Sequence, residues 1–306
     1  MIISIIGLGF VGDAMLKSFE KKGLIYNKDI FVYDKYKNGG IGLLEDVLQA
    51  NITFLALPTQ YNEETCSYNL ESIYECCNFL SENKYMGTVV IKSTIEPGTI
   101  DTLEKLYPLL NFVHNPEFLT ARTAFDDFHN QKHIVLGKGL MCKQQNFDIV
   151  KEFYSLYYLY SRSVLEPEPK SELESELESE LESELKPLPE SKLKAKISLC
   201  NSCESETMKI CCNSFYAIKV QFFTELYMLC NNIGCDYNIV KNLMLDNNWI
   251  NPMHTNIPGP DGKISYGGMC FPKDTNALNE FMKKSSSPSM ILEACIKERN
   301  NMRNDK

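Results

Sequence analysis

The sequence predicts an α/β fold, a doubly wound parallel sheet of the Rossmann type followed by a mainly α-helical central domain. Three observations predict it. The chain opens on an apolar, β-branched run that leads into a glycine turn and a helix-like stretch. Strand-like and helix-like runs then alternate to about residue 161, and beyond an acidic stretch long helical periodicities replace the strand signals.

The first unit is Met1 to Ile6, then Gly7-Leu8-Gly9-Phe10-Val11-Gly12, then a helical stretch from Asp13 to Lys22. Glycines so spaced allow a tight turn and let a pyrophosphate approach a helix N-terminus, where free N–H groups favour an anion. Gly7, Gly9, Phe10, Val11 and Gly12 are thus the expected dinucleotide turn. A second apolar run, Ile30 to Tyr33, ends in Asp34. A carboxylate there accepts from a ribose 2′-OH and repels a 2′-phosphate, so the expected cofactor is NAD. Lys35 and Lys37 stand beside it as cations of the kind a 2′-phosphate would use.

No basic region or small-residue cleavage site precedes Gly7, and no apolar run reaches the roughly 18 residues a membrane helix needs. A cytoplasmic protein with reduced thiols is expected. Further strands are predicted at Ile52 to Leu57, Thr88 to Ile91, Phe112-Val113 and Ile134 to Leu136, with helices such as Leu70 to Leu80 and Ile100 to Leu110 between them. Three polar loops follow these strands: Pro58-Thr59, Ser93 to Thr99 and Asn115 to Thr120. In open α/β sheets ligands bind at the carboxyl ends of the strands, so these loops form the expected site edge.

From Glu166 to Glu190 the chain repeats Ser-Glu-Leu-Glu with leucines at 173, 177, 181 and 185, and this window carries −8 of the chain's formal −9. The rest is nearly neutral, with no basic stripe for nucleic acid. Like charges four apart oppose a helix, so residues 162–195 are expected to be a disordered insertion between a domain at 1–161 and one at 196–306. Cys200-x-x-Cys203 and Cys211-Cys212 lack a second CxxC pair or a histidine at ligand spacing, so no metal is expected.

After the insertion, Ser205 to Asn231 reads as one long helix on which Lys209 and Asn213 share a face. Near its end the chain reads Gly267-Gly268-Met269-Cys270-Phe271-Pro272-Lys273-Asp274-Thr275. Glycines let a backbone approach a substrate closely, and an adjacent ammonium is expected to lower the Cys270 thiol toward the thiolate that attacks carbonyl carbon.

GLGFVG, KSTIEPGT, NPEFL, the Lys209/Asn213 pair and GGMCFPKDT occur in the order seen in the UDP-glucose/GDP-mannose dehydrogenases, and the chain resembles that family from Met1 to about Lys306 apart from the insertion. The resemblance implies oxidation of a nucleotide-sugar C6 alcohol to a carboxylate, with two NAD and no metal. UDP-glucose is the default substrate; GDP-mannose and UDP-N-acetyl sugars are alternatives. It implies that Cys270 carries a thiohemiacetal and then a thioester, that Lys209 and Asn213 stabilise an oxyanion, and that Glu117 activates the hydrolytic water. Asp274 would order water or act as a base beside Cys270, and Thr94 would touch both the nicotinamide side and the sugar. Thr59 and Lys273 would contact NAD, Phe118 and Leu119 would hold the sugar-phosphate through their backbones, and Gly267 would make room for it. A homodimer through the helix 205–231 is implied as well.

Departures are also visible. Ala121 stands where the family has a second Glu, Trp249-Ile250-Asn251 replaces Arg-Ile-Gly, and the family's C-terminal nucleotide-binding domain is expected to be absent. Two other readings remain: a single-step 3-hydroxyacid dehydrogenase, which has no need of Cys270, and a shortened NAD-binding protein without turnover.

Overall fold

The computed structural model describes residues 1–158 and 195–305. The Ser-Glu-Leu-Glu repeat, expected to be a disordered insertion, lies outside the described residues.

Seven strands make one sheet: β1 (Ile3–Ile6), β2 (Ile30–Tyr33), β3 (Ile52–Leu55), β6 (Thr88–Ile91), β7 (Asn111–His114), β8 (His133–Lys138) and β9 (Lys196–Asn201), in the order β2-β1-β3-β6-β7-β8-β9. All neighbours are parallel except β7 and β8. Side chains alternate between two cores. Ile3, Ile5 and Phe54 face the side covered by α1 (Phe10–Lys21) and α5 (Gln144–Tyr158), whereas Ile6, Leu55, Val89 and Ile91 face α2 (Glu71–Glu82) and α3 (Thr99–Leu106). Burial on both faces is why these strands read as unbroken apolar runs.

Two features depart from expectation. Lys196–Asn201, assigned from sequence to the helical domain, is the seventh strand and pairs with β8 along its length. A small antiparallel hairpin, β4 (Tyr61–Asn62) and β5 (Ser67–Tyr68), rises between β3 and α2, where no strand was expected. A short helix, α4 (Ala124–His129), precedes β8.

Beyond β9 the chain is helical: α6 (Ser202–Ile233), α7 (Tyr237–Asp246), α8 (Phe271–Lys284) and α9 (Met290–Met302). Asn201 ends β9 and caps α6. Its side chain accepts from the Glu204 amide at 2.8 Å while Glu204 Oε2 accepts from the Asn201 amide at 2.9 Å, a capping box that passes strand into helix without a loop. Gly234, in the left-handed region, ends the helix. Among the described residues no helix is long and apolar enough to cross a membrane.

Candidate active site

The first group of candidate residues lies at the carboxyl edge of the sheet. Gly7 has φ +94°, and a Cβ on it would stand 2.5 Å from the Ala56 carbonyl oxygen; one on Gly12 would stand 1.8 Å from the Gly7 oxygen. Side chains at either position would open the turn. Gly9, by contrast, faces open space and begins α1 with no side-chain cap, leaving its first amides free. This is a cradle shaped for a pyrophosphate. Asp34 braces the turn: Oδ2 accepts from the Leu8 amide at 2.7 Å, and Oδ1 from the Tyr36 and Lys37 amides at 2.9 and 2.8 Å. Burial works to raise its carboxyl, but these amides and Lys37 outweigh it and hold the group below its ordinary value. Asp34 is therefore an ionised acceptor beside the turn. Lys37 Nζ is turned to the Leu8 carbonyl at 2.8 Å and Lys35 to Glu75 at 3.4 Å, so neither lysine points free for a 2′-phosphate. The residues present fit NAD.

Next along the edge, the loops after β3 and β6 are tied together. Ser93 Oγ donates to the Leu57 carbonyl at 2.6 Å, and Thr59 Oγ1 donates to the Thr94 carbonyl at 2.7 Å. Thr59 and Thr94 are both buried.

The second group forms where α6 and α8 meet the loop after β7. Lys209 is 3 % exposed; its Nζ donates to the Glu117 backbone carbonyl, lies 3.3 Å from Glu117 Oε1, and stands 5.1 Å over the Phe118 ring. Glu117 Oε2 accepts from the Leu119 amide at 2.6 Å, which fixes the turn carrying Phe118 and Leu119. One helical turn on, Asn213 Nδ2 donates to Asp274 Oδ2 at 2.6 Å. Asp274 is fully buried, and its Oδ1 takes Lys273 Nζ and the Tyr68 hydroxyl, each at 2.5 Å. Lys273, for which the resemblance implies a contact with NAD, is thus paired with Asp274.

Cys270 is the residue before α8, exposed, with no side-chain hydrogen bond at the cap. Here the structure corrects an expectation: the thiol is raised above its ordinary value, not lowered. Desolvation is the largest cause and the Asp274 charge the next; Lys273 and Lys209 work against them and do not win. Gly267, at the start of the same loop, lies against the Arg303 guanidinium.

Two residues in this arrangement were missed from sequence. Glu206 is buried on α6 and accepts from the Gly98 and Ile100 amides at 2.6 and 2.9 Å, holding the start of α3 and the loop of Thr94. Its place three residues before Lys209, on the same helix face, was a usable signal. Tyr68 had none, being in a hairpin too short for periodicity. Among the described residues no group of three or more His, Cys, Asp or Glu is placed to hold a metal.

Comparison with known proteins gives two domain matches. Residues 41–157 match the UDP-glucose/GDP-mannose dehydrogenase family, NAD binding domain, and residues 203–301 match its central domain. A UDP-glucose 6-dehydrogenase of Rickettsia bellii is 30% identical over 271 residues, covering 86% of this chain and 52% of the relative. The chain spans about half the length of the curated relatives it matches. Among solved structures, a UDP-glucose dehydrogenase from Pyrobaculum islandicum superposes with a TM-score of 0.73 at 20% identity, covering 98% of this chain and 68% of that one. A 3-hydroxyisobutyrate dehydrogenase of Mycobacterium tuberculosis superposes with a TM-score of 0.66 at 12% identity, covering 98% and 94%. These two likenesses concern the fold.

Proposed function

The chain belongs to the UDP-glucose/GDP-mannose dehydrogenase family and carries its NAD-binding and central domains, and from that premise we propose that it oxidises the C6 alcohol of a nucleotide sugar to a carboxylate. The observation that carries this reading is a pair of linked contacts beside Cys270, Lys209 of α6 on Glu117 of the loop after β7 and Asn213 of α6 on Asp274, whose amide donates to the Cys270 carbonyl at 3.0 Å, with the dinucleotide turn on the edge of the adjoining sheet. NAD, when bound, supplies the electron acceptor for each of two oxidations. The side chains supply the rest.

An alcohol needs a base and a stabiliser for its oxygen, but an aldehyde needs an atom added to its carbon before it is oxidised again. The Cys270 sulfur makes that addition, and the thiohemiacetal becomes a thioester. The Lys209 ammonium and the Asn213 amide are fixed by Glu117 and Asp274, so they meet the negative oxygen with little reorganisation. Glu117, held by the Leu119 amide, directs the water that releases the acid. Because the resting thiol is held above its ordinary value, addition is favoured as pH rises. UDP-glucose is the default substrate, with GDP-mannose and UDP-N-acetyl sugars as alternatives.

A homodimer in the cytoplasm is part of the proposal. Phe215, Phe222 and Leu229, seven residues apart on α6, are all more than half exposed, an apolar stripe suited to a second copy. A monomer by light scattering counts against it.

The single-step 3-hydroxyacid dehydrogenase is the second reading, a reaction with no need of Cys270. The test is NADH formation at 340 nm with each nucleotide sugar, for wild type and Cys270→Ser. Two NADH per sugar, lost in the variant, is the expected result. One NADH per 3-hydroxyacid supplied in place of the sugar, retained in the variant, supports the second reading. NAD binding with no turnover supports an NAD-binding protein without catalysis.

A further inference from the structure

The hairpin β4–β5 leaves the NAD-binding sheet and inserts its last residue among the helices. Tyr68 is 5 % exposed and packs with Ile210 of α6, Ala277 and Leu278 of α8 and Leu292 of α9. Lys284 Nζ donates to the Cys66 carbonyl at 2.8 Å and pins the hairpin to the far end of α8. The Tyr68 hydroxyl, 206 residues from its partner, then donates to Asp274 Oδ1 at 2.5 Å, with Lys273 Nζ 4.5 Å over its ring.

Building on the reading of Cys270 as the nucleophile, we propose that Tyr68 is a positioning residue for that sulfur: its hydroxyl holds the Asp274 carboxylate by Oδ1 and draws its charge away from Cys270. Three donors share this carboxylate, Tyr68 and Lys273 on Oδ1 and Asn213 on Oδ2. So engaged, Asp274 orients its neighbours; it is poorly placed to take a proton. Its charge nevertheless faces Cys270, alongside Lys273, Glu117 and Lys209, while Tyr68 itself faces Asp274, Glu96 and Cys270. Removing the hydroxyl leaves negative charge on Oδ1 less shared, and that favours the protonated sulfur.

The test reads the thiol directly, without substrate, so it stands apart from the success of the dehydrogenase assay. Carbamidomethylation of Cys270 by iodoacetamide is followed by peptide mass spectrometry between pH 6.5 and 10, with exposed Cys203 as internal control. Tyr68→Phe, which keeps the ring and the Lys273 contact, is expected to move the Cys270 midpoint up by about half a pH unit or more and slow alkylation at pH 8 about threefold, with Cys203 unchanged. Asp274→Asn is expected to lower the midpoint, and Tyr68→Phe in that background to have no further effect. An unchanged or lowered midpoint in Tyr68→Phe overturns the proposal. So does an unchanged or raised midpoint in Asp274→Asn, an outcome readable even where Tyr68→Phe does not fold.

Discussion

The Arg303 guanidinium fills the space that a side chain at Gly267 would need: a Cβ built there would stand 2.3 Å from Nη2. Arg303 is clamped in turn, with Nη2 at 2.6 Å from Asp261 Oδ2 and 2.5 Å from Asp305 Oδ2, and Nη1 on the Ser265 carbonyl at 3.2 Å. Arg299 Nε donates to the Tyr266 carbonyl at 3.3 Å. Two arginines at the end of α9 therefore hold the chain that leads into Gly267 and on to Cys270.

Gly267→Ala is expected to dislodge that guanidinium and lower kcat at least tenfold, since a misplacement of about 1 Å at a reacting group costs on this scale. In an Arg303→Ala background the same change should cost much less, because the colliding atoms are gone. A double-mutant cycle on the nucleotide-sugar assay checks it; additive losses refute the steric link.

Burial pushes the Glu206 carboxyl up to about 7, against the Ile100 and Gly98 amides, which lower it, and with Asp101 and Glu104, which add to the rise. The folded protein therefore holds this proton between about pH 4.5 and 7 while the unfolded chain releases it, so this group's contribution to stability falls as pH rises through that window. Glu206→Gln removes the titration. Urea unfolding from pH 5 to 8 should show the gap between the two proteins moving in the variant's favour by up to about 3 kcal/mol. A constant gap refutes it.

Lys92, at the end of β6, is 1 % exposed, and its Nζ has the neutral Asn115 Oδ1 at 2.8 Å. Burial lowers its pKa to about 7; Glu117 opposes and Lys209 adds to the fall. The cost of this ammonium is absent above the ordinary lysine value, near 10.5, and fully present below about pH 7. Lys92→Met leaves Asn115 Oδ1 its bond from the Tyr154 hydroxyl and is expected to stabilise the protein by about 1–3 kcal/mol at pH 7. The gain should shrink toward pH 10. A lower urea midpoint at pH 7 contradicts it.

Local pattern made much of this architecture legible. Gly7 to Gly12 and Asp34 declared the turn because its chemistry needs those residue types within a few positions of a strand end, and Lys209 with Asn213 declared a face by helical spacing. Lys196–Asn201 was misassigned because edge strands are recognised by pairing, and its partner β8 lies 63 residues away in sequence. The direction of the Cys270 shift was misread for a related reason. Adjacent Lys273 is visible in the sequence, but the loss of hydration that outweighs it is set by the assembled site. Tyr68 and Arg303 act on residues brought near only by the completed fold.

The Ala195 amide donates to the Tyr158 carbonyl at 3.3 Å, so the two ends of the stretch 159–194 are joined at its base. That contact sets the end of α5 directly beside the start of β9. The sheet does not depend on the stretch as a tether, because α5 finishes where β9 begins. The register of β9 on β8, and through the capping box the placement of Lys209, is thus insulated from that stretch. The reacting centre is thus held by contacts made entirely among residues on either side of that stretch.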